Sequence, residues 1–249
     1  MATTSKIEWT EQTWNPIVGC TKISAGCKHC YAETLARRLR AMGTPGYENG
    51  FALALLPHRL EEPLRRKKST IYFVNSMSDL FHEKVPDAYI EQIVDVMART
   101  PQHSYQVLTK RAARMARFFK MRTVPDNAWL GVSVENRRHG VPRIDHLRNI
   151  QARIRFLSVE PLLEDVGPLN LIDIHWVIVG GESGPKARPM APEWVESVRS
   201  QCKRQKVAFF FKQWGGWGAD GQRRAKSKNG RLLNGRTWDE MPDIPRISG

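Results

Sequence analysis

From residue 70 onward the chain alternates short, continuous apolar runs with stretches of helical period, and this alternation restricts the fold more than any other feature. The runs cover 70–74, 104–108, 128–134, 154–159, 174–179 and 207–211. Each is rich in β-branched and aromatic residues and has no polar alternation, the mark of a strand buried on both faces. Between them the spacing predicts helices. One opens at Pro86 with Ile90, Ile93, Val94 and Met97 on one face, and others cover 111–119, 142–150 and 192–203. Strands alternating with helices at this spacing are parallel βαβ units. An earlier strand over 14–19 is expected to deliver Cys20 at its end, with Pro16 at an edge or at the strand start.

A parallel sheet of this size either closes into a full or partial barrel or stays open and doubly wound. The residues just after each strand favour the barrel. Asn75, Ser76 and Asp79 come after the first run, Thr109-Lys110 after the second and Glu135-Asn136 after the third. Glu160 comes after the fourth, Gly180-Gly181-Glu182-Ser183 after the fifth and Lys212-Gln213 after the sixth. Glu and Lys are costly beside a buried sheet, and polar groups at the carboxyl end of nearly every strand are the layout of an active-site mouth. The expected class is therefore α/β, a TIM-barrel-like parallel-strand full or partial (β/α) barrel. Residues 1–213 would form this domain, and 214–249 a basic extension containing Gly and Trp.

Three of the four cysteines, Cys20, Cys27 and Cys30, fall within eleven positions as C-x6-C-x2-C. A disulfide would leave one thiol over and needs an oxidising compartment, for which the chain carries no address. A structural zinc site wants four ligands, and His29, lying between two of the cysteines, is the runner-up fourth. On a four-iron cluster, three thiolates leave one iron without a protein ligand. Cys202 falls on the inward face of the last helix and reads as an inert buried thiol. After the cysteines, Tyr31, Leu35, Leu39 and Met42 recur at helical spacing as an expected core face, closed by Gly43.

Several stretches resemble a phage- and prophage-associated family of unassigned function described as radical-SAM-like. They are Trp14-Asn15-Pro16, the cysteine loop, the segment from Asn75 to Phe81, Leu108-Thr109-Lys110-Arg111, and the segment from Gly131 to Asn136. Ser158-Val159-Glu160-Pro161-Leu162, the segment from Gly180 to Gly184, and Lys212-Gln213-Trp214-Gly215 complete the set. More loosely the chain resembles the radical S-adenosylmethionine (SAM) enzymes, whose usual loop is C-x3-C-x2-C with an aromatic residue just before the last cysteine. Here the first gap is x6, His29 stands at that place and Tyr31 lies one step beyond. The resemblance implies an iron–sulfur (4Fe–4S) cluster on Cys20, Cys27 and Cys30, with S-adenosyl-L-methionine on its open iron. It also implies Asn75, Ser76 and Asp79 as contacts to the SAM amino and carboxylate groups.

The residues themselves leave further roles open. Glu135 and Glu160 are placed to accept ribose hydroxyls, or else to pair with Lys110 and Lys212 across the mouth. The amides of Gly180 and Gly181 are placed for close approach to a ligand. Glu160, Glu182 and Lys212 are the candidate catalytic residues, the last also a candidate substrate contact.

Lys and Arg number 39 against 25 acids, a net charge of +14, which points to a polyanionic partner. Two runs hold no acid: 110–122, with Arg111, Arg114 and Arg117, and 223–236, with Arg223, Arg224 and Lys226 beside Trp214 and Trp217. Aromatics next to cations suit unpaired bases. Two functions are consistent with these features. The first is a radical enzyme of unassigned substrate, nucleic acid or a nucleotide, served by an electron donor. The second is a zinc- or cluster-stabilised nucleic-acid-binding protein without turnover. Glu135, Glu160 and Glu182 would repel a phosphate backbone, which favours the enzyme. No window approaches eighteen apolar residues and the first residues lack an apolar signal core, so a cytoplasmic protein without membrane association is expected.

Overall fold

Valine, isoleucine and aromatic runs become strands here because both faces of the sheet are covered. The structure, a computed structural model, describes residues 3–5 and 7–243. Its strands are β1 (Thr3–Thr4), β2 (Gln12–Trp14), β3 (Ile17–Val18), β4 (Ala54–Leu55) and β5 (Ile71–Val74). They continue with β6 (Ser104–Thr109), β7 (Ala128–Ser133), β8 (Ile154–Val159), β9 (Trp176–Gly180) and β10 (Ala208–Gln213). The helices are α1 (Tyr31–Ala41), α2 (Asp87–Ala98), α3 (Ala112–Phe119), α4 (Arg143–Arg148), α5 (Pro192–Gln205) and the short α6 (Lys226–Asn229).

Seven strands pair in parallel in the order β2-β5-β6-β7-β8-β9-β10, and β1 adds antiparallel to the outer edge of β2. Among the described residues β10 does not pair back to β1 or β2. The sheet curls into a half-barrel, the partial form of the expected barrel. Past β10 the chain returns along its free edge. Phe211 N donates to Trp238 O at 2.9 Å, and Phe209 N to the Glu240 carboxylate at 2.9 Å. That covers backbone groups that an edge strand otherwise leaves open.

The expected strand over 14–19 is divided. β2 ends at Trp14, and Ile17–Val18 turns away to pair antiparallel with Ala54–Leu55. Asn15-Pro16 makes the break. Pro16 has no amide to give a ladder, and its carbonyl accepts from Leu56 N at 2.8 Å and from the Tyr89 hydroxyl at 3.0 Å.

Alternate strand residues go to opposite faces. Tyr72, Val107, Leu130, Leu157, Val177 and Phe211 belong to the layer packed with the helices. Phe73, Trp129, Phe156, Trp176, Ile178 and Phe210, with Trp9, form a separate cluster on the concave face. Each such ring contributes about 1.5–3 kcal/mol by leaving water. Some of the rings meet edge to face, as Trp129 and Trp176 do at 6.1 Å between centroids, and others are tilted, as Trp9 and Phe73 are. Gly131 is required in this plug, since a Cβ there would lie 2.4 Å from the ring of Phe156. With the concave face filled by rings, the polar groups collect at the carboxyl ends of the strands. Among the described residues no helix is long and apolar enough to cross a membrane.

Candidate functional site

The cysteine loop is brought to the strand ends by β3 and by one glycine. Gly19, at φ +80°, bridges to Ser78 just after β5, and a Cβ there would lie 2.1 Å from the Ala52 carbonyl oxygen. Cys20 comes next, a tight turn over Ala25–Cys27 carries the second thiol, and Cys30 is the N-cap of α1. All three thiols are free and half-buried.

Three strand ends grip this loop. Glu135, at the end of β7, is fully buried and paired with Arg143 at 2.6 Å. It accepts a hydrogen bond from the Ser24 hydroxyl and packs so close to Gly26 that a Cβ there would be 2.9 Å away. Burial acts to raise its carboxyl. The charges of Lys110 and Arg143 and the hydrogen bonds from Arg143 and Ser24 outweigh burial and hold it below the usual carboxylate range. Glu182, after β9, holds Arg188 through both oxygens at 2.7 and 2.9 Å, and Arg188 donates onward to Ala25 O at 3.0 Å. Arg111, after β6, donates to Thr21 O at 3.2 Å, to Thr21 Oγ1 at 2.9 Å and to Cys20 Sγ at 3.5 Å.

The thiols are not alike. Burial, with Asp79 nearby, pushes the Cys20 thiol up to about 11. Burial acts the same way on Cys27, but backbone hydrogen bonds from Ile23 and Ser24 and the charge of Lys110 bring it below its usual range. Among the described residues no three His, Cys, Asp or Glu side chains converge as ligands of one metal ion.

The remaining predicted residues divide between the mouth and the interior. Asn75 ends β5 in the left-handed region at φ +59°; its Oδ1 accepts from Ile17 N at 3.3 Å, while its buried Nδ2 has no partner. The spare group is a donor, which suits a carboxylate and not an amino group. Ser76 Oγ donates to Asn15 Oδ1 at 3.2 Å, and its carbonyl accepts from the Tyr31 hydroxyl at 2.5 Å. Asp79 is spent inside the protein on Thr109 Oγ1 (2.6 Å), Lys110 N (3.1 Å), Phe81 N (3.0 Å) and Arg111 (3.1 Å). Glu160 pairs with Lys212 at 3.0 Å across the mouth. Glu135 takes Arg143 in place of Lys110, which instead donates to Ser133 Oγ at 2.9 Å. Gly180 and Gly181 serve packing rather than ligand approach. A Cβ on the first would lie 2.5 Å from Glu160 Oε1, and on the second 1.9 Å from Trp214 O.

Two of the predicted phosphate-binding cations are withdrawn. Arg111 is 6% exposed and pinned between Asp79 and Glu83, and Arg114 donates to His82 O, Val85 O and Asp87. Arg117 is exposed. Arg223, Arg224 and Lys226 are exposed too, held respectively by Pro185 O, Asp220 and Glu8.

The expected core face of α1 is also corrected. Tyr31 is 56% and Leu35 40% exposed, and Ala32 and Ala36 are buried instead. Tyr31, Leu35 and Leu39 line a cavity of about 490 Å³ with Tyr47, Met77 and Ser76. Two small residues at i and i+4 let the helix approach the core closely, and the larger apolar stripe is left beside the cavity. Ser24 and Arg188 were missed from sequence because their partners, Glu135 and Ala25, lie far away along the chain, and Arg143 because its pairing with Glu135 is set by how α4 sits beside the end of β7.

A family model described as "Protein of unknown function (DUF5131)" matches residues 4–242. No curated protein matches the chain. A point mutant of spore photoproduct lyase shares the fold at a TM-score of 0.56 and 11% identity, over 86% of this chain and 79% of that one. Spore photoproduct lyase complexed with dinucleoside spore photoproduct aligns at 0.49 and 11% identity over 82% of this chain. The chain spans 64% of the length of that lyase.

Proposed function

We propose a function from one premise: the chain belongs to the DUF5131 family, proteins of unknown function whose model spans nearly all of it. Our reading is that Cys20, Cys27 and Cys30 hold a 4Fe–4S cluster with one iron left for SAM, in a radical enzyme acting on a nucleic acid or a nucleotide. The observation that carries it is the grip on the cysteine loop. Three half-buried thiols stand at the carboxyl ends of a parallel half-barrel, held there by Glu135, Arg188 and Arg111. The donor set fits the group: three free thiols, a buried Asn75 Nδ2 without a partner and a polar mouth. A zinc ion would need its ligands to converge on one point. A four-iron cluster does not, because each thiolate meets a different iron.

When bound, the cluster and SAM supply one-electron reductive cleavage and a hydrogen-abstracting radical, the electron coming from an external donor. The chain's own residues do the rest. Glu135 and Arg188 fix the loop against the strand ends. The aromatic plug from Trp9 to Phe210 fills the concave face and keeps water out of that side of the sheet. Asn75 Nδ2 is offered to the SAM carboxylate. The Glu160–Lys212 pair stands at the mouth, where a polar substrate would exchange one partner for its own group. The basic residues still exposed, Arg117, Arg223, Arg224 and Lys226, supply the attraction for phosphate. In this reading the domain over 1–213 carries the site, and within the extension that follows it Trp238, Asp239 and Glu240 cover the edge of β10.

Anaerobic reconstitution with iron and sulfide tests the proposal. Brown protein with about four irons per chain is expected, and 5′-deoxyadenosine should appear on adding SAM and a reductant. Colourless protein holding one tight zinc would refute it in favour of a metal-stabilised binding protein.

A further inference from the structure

The least expected contact at the site is a guanidinium on a cysteine sulfur. Arg111 lies in the basic run that the sequence offers to phosphate, yet it is 6% exposed and points inward, with Nη1 3.5 Å from Cys20 Sγ. Burying a guanidinium costs several kcal/mol unless it is paired and hydrogen-bonded, and here every edge is used. Asp79 takes Nη1 at 3.1 Å, Glu83 takes Nε at 2.8 and 2.9 Å, and Thr21 takes Nη2 through its carbonyl and hydroxyl. Thr21 is held in turn by His82, whose Nε2 lies 3.0 Å from the same hydroxyl. His82 Nδ1 accepts from Lys84 N, so its proton sits on Nε2, and burial keeps the ring neutral by lowering its pKa. The planar fork is thereby aimed at one sulfur, a geometry that a lysine would not reproduce.

We infer that Arg111 sets the reduction potential of a cluster bound through Cys20, with Glu83 as a counterweight that partly cancels its charge. The inference rests on the proposed cluster. The reason is electrostatic. Reduction adds one electron to the cluster, and a positive hydrogen-bond donor on a ligand sulfur stabilises the more negative state, which raises the potential. The charges facing that sulfur are few. Arg111 is positive and touches it, Asp79 is negative and buried, and Glu83 is negative and meets Nε rather than the Nη1 that reaches the sulfur. Glu83 is 61% exposed, and Gln in its place removes the charge while keeping an oxygen for Arg111 Nε.

The two residues should therefore move the potential in opposite directions, which a purely structural role for Arg111 would not do. The experiment is an anaerobic redox titration at low ionic strength, monitored by electron paramagnetic resonance, on reconstituted wild type, Arg111→Gln and Glu83→Gln. Iron content is measured on each first. Arg111→Gln should need a more negative potential. At the wild-type midpoint its reduced-to-oxidised ratio should fall at least tenfold, about 59 mV for a one-electron couple. Glu83→Gln should move the other way by less, because an exposed carboxylate is screened. Arg111→Lys keeps the charge without the fork and should fall between wild type and Arg111→Gln. An iron-loaded Arg111→Gln with the wild-type midpoint overturns the inference and leaves the cluster reading standing. Should Arg111→Gln fail to hold iron, Glu83→Gln decides: an upward shift supports the inference, and an unchanged or downward one overturns it. Wild type that takes up no iron fails the cluster reading itself, and this inference with it.

Discussion

Glu135→Gln is the sharpest test of how the cysteine loop is held. The substitution keeps the size of the side chain and an oxygen for Ser24, while it removes the charge and turns the oxygen that meets Arg143 into an NH2 group. Glu135 is fully buried and its partner Arg143 is 8% exposed in its side chain, so the change leaves a buried guanidinium without its counter-ion. Breaking a buried pair from one side costs about 3–5 kcal/mol. For a domain of this size each kcal/mol moves the melting temperature by about 2–4 °C, so a drop of about 6–20 °C is expected. Differential scanning calorimetry measures it directly, and Glu135→Gln/Arg143→Met should recover part of the loss. The exposed pair Asp95–Arg99 is the control, and Asp95→Asn should cost about 0.3–0.5 kcal/mol. The pH dependence has a definite sign. The folded carboxyl is held below its unfolded value of about 4.3, so its contribution is complete above that pH and is lost as the pH falls through the depressed folded value. The gap between wild type and variant should be level from pH 6 to 8 and should close in acid. A loss below about 1 kcal/mol at pH 7, or a gap that widens on acidification, would refute the reasoning.

Further outcomes are expected. Gly131→Ala forces a Cβ into the ring of Phe156 and should destabilise the protein by about 1–3 kcal/mol in urea titration; an unchanged midpoint would mean that the plug is loosely packed. Cys202 is fully buried, with its thiol pushed up to about 12 by burial and by Glu240, so a maleimide should label it only after denaturation. Cys202→Ala should keep iron that Cys27→Ala loses; equal loss from both would remove the distinction. Finally, oligonucleotide affinity should fall steeply with salt, and reversing Arg223, Arg224 and Lys226 to Glu should flatten that slope, by about 0.7–0.9 for each phosphate no longer neutralised. Reversing Arg114 should instead reduce stability, since that side chain is bound to His82, Val85 and Asp87.

What the sequence alone determined is what local pattern determines. Continuous apolar runs separated by helical spacing specify a parallel sheet, and all six predicted runs from residue 70 onward are strands of it. Clustered thiols at 20, 27 and 30 and polar groups after each strand are set by order along the chain. Only the tertiary structure decided which charges remain available. The run 110–122 contains no acid, but the fold brings Asp79, Glu83 and Asp87 against it, so that Arg111 is buried and Arg114 is held by His82 O, Val85 O and Asp87. In the same way Asn15-Pro16 diverts the first strand, because Pro16 O finds partners in Leu56 and Tyr89 from distant segments. The apolar stripe of α1 faces a cavity because Ala32 and Ala36 fit closer to the core than Tyr31 and Leu35 can. Period and propensity belong to neighbours in the chain. Charge neutralisation and close packing depend on distances through space, and those are set only once the sheet has curled and brought its loops to one end.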